Sequence, residues 1–173
     1  MKNNNSIKPV VAVGIGAALF FVLGRFVAIP SPVPNTNISL QYAVLALLAA
    51  MYGPVAGGLI GFIGHTLIDL SWGGSPWWSW VIASAFVGVV VGLFAKKLDL
   101  QEGEFGKKKM AAFTVANIAA HLLAWVVVAP VLDILIYAEP VKKVFAQGAF
   151  AAVSNIITAV VVGGLLVLAY TRT

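Results

Sequence analysis

The chain has 173 residues, of which 61% are hydrophobic and 10% charged. Soluble domains carry about 25% charged residues, so a water-soluble globular domain is excluded, and this length holds one bundle with no separate soluble domain. The formal net charge is +5 and there is no cysteine, which removes disulfides and thiolate metal sites.

The polar start, Met1 to Lys8, leads into an apolar run too long for a signal-peptide core. No small-residue cleavage site follows it, so a retained first helix over about 8–28 is expected. This helix carries two small-xxx-small pairs, Ala12 with Gly16 and Gly14 with Ala18. Such pairs let another helix backbone approach closely. They fit packing inside the bundle and docking of a separate membrane partner equally well. Arg25 lies at the far end of the helix.

The segment Ile29-Pro30-Ser31-Pro32-Val33-Pro34-Asn35-Thr36-Asn37 follows. Its alternate prolines forbid helix and favour a stiff, extended chain. It is longer than most helix connections, which favours a lid bearing Asn35, Thr36 and Asn37 over a plain connector.

The apolar run from Ile38 to Leu70 is too long for one straight span, because a crossing needs roughly 20 residues. Tyr52-Gly53-Pro54 breaks it. The pattern predicts helix 2 over 39–51 and helix 3 over 55–70. His65 and Asp69 share a face of helix 3 at i, i+4. Two ligands are too few for a metal site, so no metal is expected and a structural pair is the better reading. Four tryptophans follow within nine residues: Trp72, Trp77, Trp78 and Trp80. An aromatic belt at the membrane interface explains them, and so does a stacking wall for a ring-rich ligand. Trp77 and Trp80 share a face and are expected to do one job while Trp78 does another.

Helix 4 is predicted over 77–96, ending at Lys96-Lys97, with a polar loop from Asp99 to Lys109. Helix 5, over 110–136, carries Asn117, His121 and Trp125 at i, i+4, i+8. Asn and His in apolar surroundings need partners. Pro130 is expected to kink the outer end, where Asp133, Tyr137 and Glu139 gather. Helix 6, over 141–171, carries Asn155 and Gly163-Gly164.

Threaded with the N-terminus inside, six helices put Lys2, Lys8, Lys96, Lys97, Lys107, Lys108, Lys109 and Arg172 on the inner side. Only Arg25, Lys142 and Lys143 fall outside, so eight of the eleven basic residues lie on one side. This is the positive-inside bias. The expected fold is therefore an all-α membrane protein, a compact bundle of six transmembrane helices with both termini inside. Residues 1–173 form a single integral-membrane domain in the cell membrane. The basic excess encodes orientation, and no nucleic-acid partner is expected, since only Phe105 accompanies the lysine run. Polar side chains collect in the outer half, which suits a cavity open outward and closed below. Gly103-Glu104-Phe105-Gly106-Lys107 is not spaced as a P-loop, and neither G-x-S-x-G nor H-E-x-x-H occurs. The halves show no inverted repeat with matching broken helices, which weakens a lone secondary transporter. No enzyme activity is expected.

Several runs resemble the substrate-binding (S) components of energy-coupling factor (ECF) transporters. They are Gly14 to Phe20, Leu23 to Phe26, Ile29-Pro30, Tyr52 to Gly57, Gly61 to His65, Ser75 to Trp80 and Tyr137 to Pro140. The last four resemble the branch labelled riboflavin-type. The resemblance implies an ABC-importer subunit that takes a vitamin from outside. It implies docking on a transmembrane coupling subunit with two ATP-binding subunits, where ATP hydrolysis resides, and no cofactor. It also implies that Ala12, Gly14, Gly16 and Ala18 face the coupling subunit. Lys2 stands where metal-specific relatives carry histidine, which argues against nickel or cobalt ions. Candidate ligand contacts are Arg25, Asn35, Thr36, Asn37, His65, Asp69, Trp77, Trp80, Asn117, His121 and Tyr137. Dense tryptophan with few ionisable groups suits cobalamin first, then riboflavin, with a thiamine precursor or a methionine-related compound behind. A non-transport membrane assembly protein is the competing class, and a membrane enzyme the third.

Overall fold

The computed structural model describes residues 7–101 and 105–172. Lys2, Gly103 and Glu104 lie outside the described residues. The chain is mostly helical. Helix α1 spans Ile7–Phe26, α2 Gln41–Tyr52, α3 Pro54–Ser71, α4 Trp78–Leu93 and the single turn α5 Ala95–Leu98. The long helices α6, Lys107–Tyr137, and α7, Val141–Tyr170, complete it. Helices α1, α3, α6 and α7 are long and apolar enough to cross a membrane, while α2 and α4 are apolar but shorter.

The break between α2 and α3 has a local cause. Gly53 adopts φ +88°, a conformation that L side chains rarely reach. Its amide still closes on Ala49 O, and Pro54 opens α3, where a missing N–H costs nothing. The same region lets α4 lie directly on α3, the most extensive helix pair in the fold. A Cβ on Gly57 would strike the backbone of Gly88, one on Gly88 the backbone of Gly57, and one on Gly61 the backbone of Ser84. Backbone-to-backbone approach of this kind supplies van der Waals attachment where lipid gives no hydrophobic drive between helices.

Several expected boundaries shift. Helix α4 ends at Leu93 rather than 96, and α5 closes on Asp99 in a left-handed conformation. Helix α6 starts at Lys107, so the three lysines form its first turn. The kink expected at Pro130 takes the form of a π-helical stretch, Leu123–Val128. Pro130 has no N–H for the carbonyl four residues back and crowds it. The ladder therefore passes to i→i−5 bonds, as in Ala129 N–H to Ala124 O. A second π stretch, Thr158–Val162, precedes Gly163-Gly164.

The proline segment is not a free strap. It folds back as an antiparallel ribbon of β1 (Ile29–Pro30) and β2 (Asn37–Ile38), turning through Asn35 at φ +59°. Gln147 Nε2 of α7 donates to Pro34 O at 2.8 Å, and the Ser39 hydroxyl donates to Leu23 O at 3.2 Å. The core beneath joins Phe20, Leu45, Ile60, Val87, Phe113 and Trp125.

Helix α1 divides its small residues between two faces. Ala12 and Gly16 are buried, and Gly16 packs on Leu48 and Ile60. Gly14 and Ala18 are exposed, and nothing lies within 4 Å of a Cβ built on Gly14. Two positions along a helix are about 200° apart, so the two pairs cannot share a face. The expectation that all four face a partner is corrected: Ala12 and Gly16 are used inside the fold.

Candidate functional site

A cavity of about 680 Å³ opens at the end of the bundle that carries the tryptophan loop. The β-ribbon covers one side of it through Asn35, Thr36 and Asn37. Helix α3 contributes His65 and Asp69, α4 contributes Trp80, and the linker before α4 contributes Trp77. Helix α7 contributes Gln147, Ala151 and Asn155, one face at i, i+4, i+8. Aromatic wall and polar groups thus converge from separate elements, the usual constitution of a small-molecule site.

Asp133 organises the wall. It is 3% exposed. Its Oδ1 accepts from Trp77 Nε1 at 2.6 Å and from the Ser79 hydroxyl, and its Oδ2 accepts from Trp80 Nε1 at 3.0 Å. Trp77 is further fixed by stacking on Tyr137 at 3.9 Å, and its backbone N–H donates to Asp69 Oδ2 at 2.8 Å. The Tyr137 hydroxyl accepts from Trp78 N–H at 2.9 Å. Trp78 itself turns away and stacks against Phe62. Trp77 and Trp80 therefore share one anchor while Trp78 has another.

On the opposite side, the Ser84 hydroxyl links Tyr42 OH at 2.7 Å to His65 Nδ1 at 2.6 Å. His65 Nε2 faces Asp69 Oδ1 at 3.7 Å. The pair expected on helix 3 is thus a close contact between an imidazole and a carboxylate at the cavity edge. Lower down, Trp125 Nε1 donates to His121 Nδ1 at 3.1 Å. That bond makes Nδ1 the acceptor, so the ring proton sits on Nε2.

Not every candidate reaches the cavity. Asn117 and His121 are fully buried and do not line it; Trp125, one turn further, does. Asn117 Nδ2 donates to its own helix at Phe113 O. Asn117 Oδ1 and His121 Nε2 are buried without partners among the described residues. Arg25 also stays outside the lining. Its guanidinium lies 3.7 Å from the Trp72 ring, and its Nε donates to the Ser71 hydroxyl at 3.0 Å. Tyr137 acts through Trp77 and Trp78.

The ligand contacts named from sequence leave out Gln41, Tyr42, Trp125, Asp133 and the Gln147–Asn155 face, all of which line the cavity. Asp133 had a signal, because an ionisable residue inside an apolar span marks function by default. So did Gln147 and Asn155, spaced two turns apart.

Trp80→Ala is expected to weaken binding of the cavity's ligand by about 5- to 150-fold, equivalent to about 1–3 kcal/mol for a stacking partner. Isothermal titration in detergent measures it. Wild-type affinity for Trp80→Ala would place the ligand away from this wall.

A family model described as "ECF-type riboflavin transporter, S component" matches residues 4–172. A UPF0397 protein of Enterococcus faecalis (strain ATCC 700802 / V583) is 51% identical over 100% of this chain and 94% of its own length. One from Lactobacillus helveticus is 52% identical over 99% and 93%, and one from Streptococcus agalactiae serotype Ia is 54% identical over 98% and 93%. Among solved structures, the S component for biotin from an ECF-type ABC transporter superposes with a TM-score of 0.64 at 19% identity. That match covers 96% of this chain and 94% of that one.

Proposed function

The chain belongs to the family of ECF-type riboflavin transporter S components, and from that premise we propose that it captures a small, ring-bearing vitamin from outside the cell and hands it to an energising module. The observation that carries this reading is the aromatic-walled, polar-edged cavity of about 680 Å³. An S component is not itself an enzyme. ATP hydrolysis falls to two ATP-binding subunits, joined through a transmembrane coupling subunit that docks on the Gly14 and Ala18 face of α1.

The volume reorders the candidate vitamins. Packed organic molecules take up about 20 Å³ per non-hydrogen atom, so a flavin of about 30 such atoms needs ~600 Å³ and cobalamin, with about 90, needs ~1,800 Å³. Riboflavin, a thiamine precursor or a methionine-related compound fits within the walls, and cobalamin moves from first to last. Radiolabelled uptake across this panel, in cells expressing the chain with an energising module, tests the reading. Uptake of no member above background would defeat it.

In the bilayer, α1, α3, α6 and α7 are taken as full crossings, with α2 and α4 as two shorter ones. Both termini lie in the cytoplasm, supported by the lysines clustered away from the cavity. Cysteine at Ser75 is expected to react with an impermeant thiol reagent applied to whole cells, and cysteine at Gly106 only after lysis. Both positions are exposed. The reverse pattern would invert the orientation.

A further inference from the structure

We infer that the cavity selects a positively charged ring compound, with Asp133 setting that preference. The inference rests on the reading above that the cavity holds the transported molecule, and it narrows the class of that molecule.

The charges facing the cavity do not cancel. Glu139 and Lys143 neutralise each other at 2.7 Å. Asp69 has His65 beside it at 3.7 Å, longer than a hydrogen bond. Asp133 has no cationic partner: among the described residues, the one ion pair that involves a lysine or arginine is Lys143 with Glu139. Its three donors are two indole N–H groups and a hydroxyl, all neutral. Neutral donors satisfy the lone pairs of a carboxylate and fix its orientation, but they leave its charge in place. A buried carboxylate without a counter-ion is costly, and a cation brought alongside offsets that cost.

The aromatic groups point the same way. Trp77 and Trp80 give their N–H groups to Asp133, Trp125 gives its N–H to His121, and Tyr42 OH is engaged with Ser84. The polar handles of these four rings are all taken up by the protein. Trp125 and Tyr42 are buried, while Trp77 and Trp80 keep exposed ring surface on the cavity, and that surface is what they offer a ligand. Indole faces attract cations through the ring quadrupole, and a hydrogen bond from the indole N–H to a carboxylate pushes electron density into the ring. The chain already seats one cation on an indole of this end, the Arg25 guanidinium over Trp72.

The test uses the purified full chain in nanodiscs and a panel differing in charge. Thiamine carries a permanently cationic thiazolium ring, riboflavin and cyanocobalamin are neutral, and biotin is an anion. Titration calorimetry at low and high salt is expected to rank thiamine at least about tenfold above the others, with thiamine's affinity falling as salt rises. Asp133→Asn, which keeps the side chain's shape and an acceptor, is expected to shrink the thiamine-to-riboflavin ratio by about tenfold. Tighter wild-type binding of a neutral or anionic member overturns the charge preference and leaves the transporter reading standing. Binding of no member overturns both. The wild-type ranking decides the matter even if the variant fails to fold.

Discussion

Gly14→Leu is expected to leave the protein folded and able to bind its ligand while reducing uptake to background. Gly16→Leu, two residues away, is expected to damage the fold instead. The difference follows from the two faces of α1. A side chain at Gly14 meets nothing within 4 Å, so leucine extends outward from the face proposed to dock the coupling subunit and is expected to hold that subunit's helix off. A side chain at Gly16 meets Leu48 Cδ1 at 2.6 Å and Ile60 Cδ1 at 2.7 Å. Those are flexible ends of side chains, so the core can yield, at about 1–3 kcal/mol for overpacking. That corresponds to a drop of roughly 2–12 °C in apparent melting temperature for a chain of this size. Ala18→Leu should behave as Gly14→Leu. Parallel measurements of uptake, ligand binding and thermal stability separate the cases. Normal uptake by both Gly14→Leu and Ala18→Leu would remove this face from the coupling interface.

Gly88→Leu is expected to be more severe and to yield no monodisperse protein. Here the obstacle is backbone. A Cβ at Gly88 runs into the carbonyl of Gly57, and one at Gly57 runs into the carbonyl of Gly88. Neither can rotate away, so α3 and α4 must separate along their whole contact. The Asp69 bond to Trp77 N–H ties α3 to the linker that leads into α4 and would be lost with that packing. The cost exceeds the usual overpacking range of about 1–3 kcal/mol, and membrane helices have no apolar drive to compensate. Gly74→Ala, where nothing lies within 4 Å and φ is not positive, serves as a neutral control. Size-exclusion chromatography with fluorescence detection reads the outcome. A sharp wild-type elution peak for Gly88→Leu would show that α3 and α4 tolerate a wider spacing than their glycines imply.

Much of this was legible in the sequence because it depends on local chemistry. Gly53-Pro54 breaks a helix wherever it stands, and the apolar runs had the length of membrane helices. Trp77 and Trp80, three apart, had to share a direction while Trp78 took another. The family resemblance was carried by contiguous runs of residues, so it too could be read without coordinates. Other features needed the tertiary structure, because they depend on which surfaces meet. Nothing in Ala12, Gly14, Gly16 and Ala18 says which pair turns inward; the position of Leu48 and Ile60 decides it. Asn117, His121 and Trp125 form one polar stripe in sequence, yet only Trp125 reaches the cavity, because depth along α6 is set by the helices packed around it. Arg25 sits outside the cavity lining with its guanidinium over the Trp72 ring, a placement that only the fold sets. Asp133 is a lone carboxylate in an apolar run, and its role as the anchor of two indoles exists only because α6 meets α4 and the linker before it, 53 to 56 residues away in the chain. Periodicity and breakers act over a few residues, so the sequence alone determined the long helices, while the β-ribbon, the α5 turn and the π stretches emerged only in the fold. The site is made by contacts between distant elements, and only the folded structure decided which side chains share it.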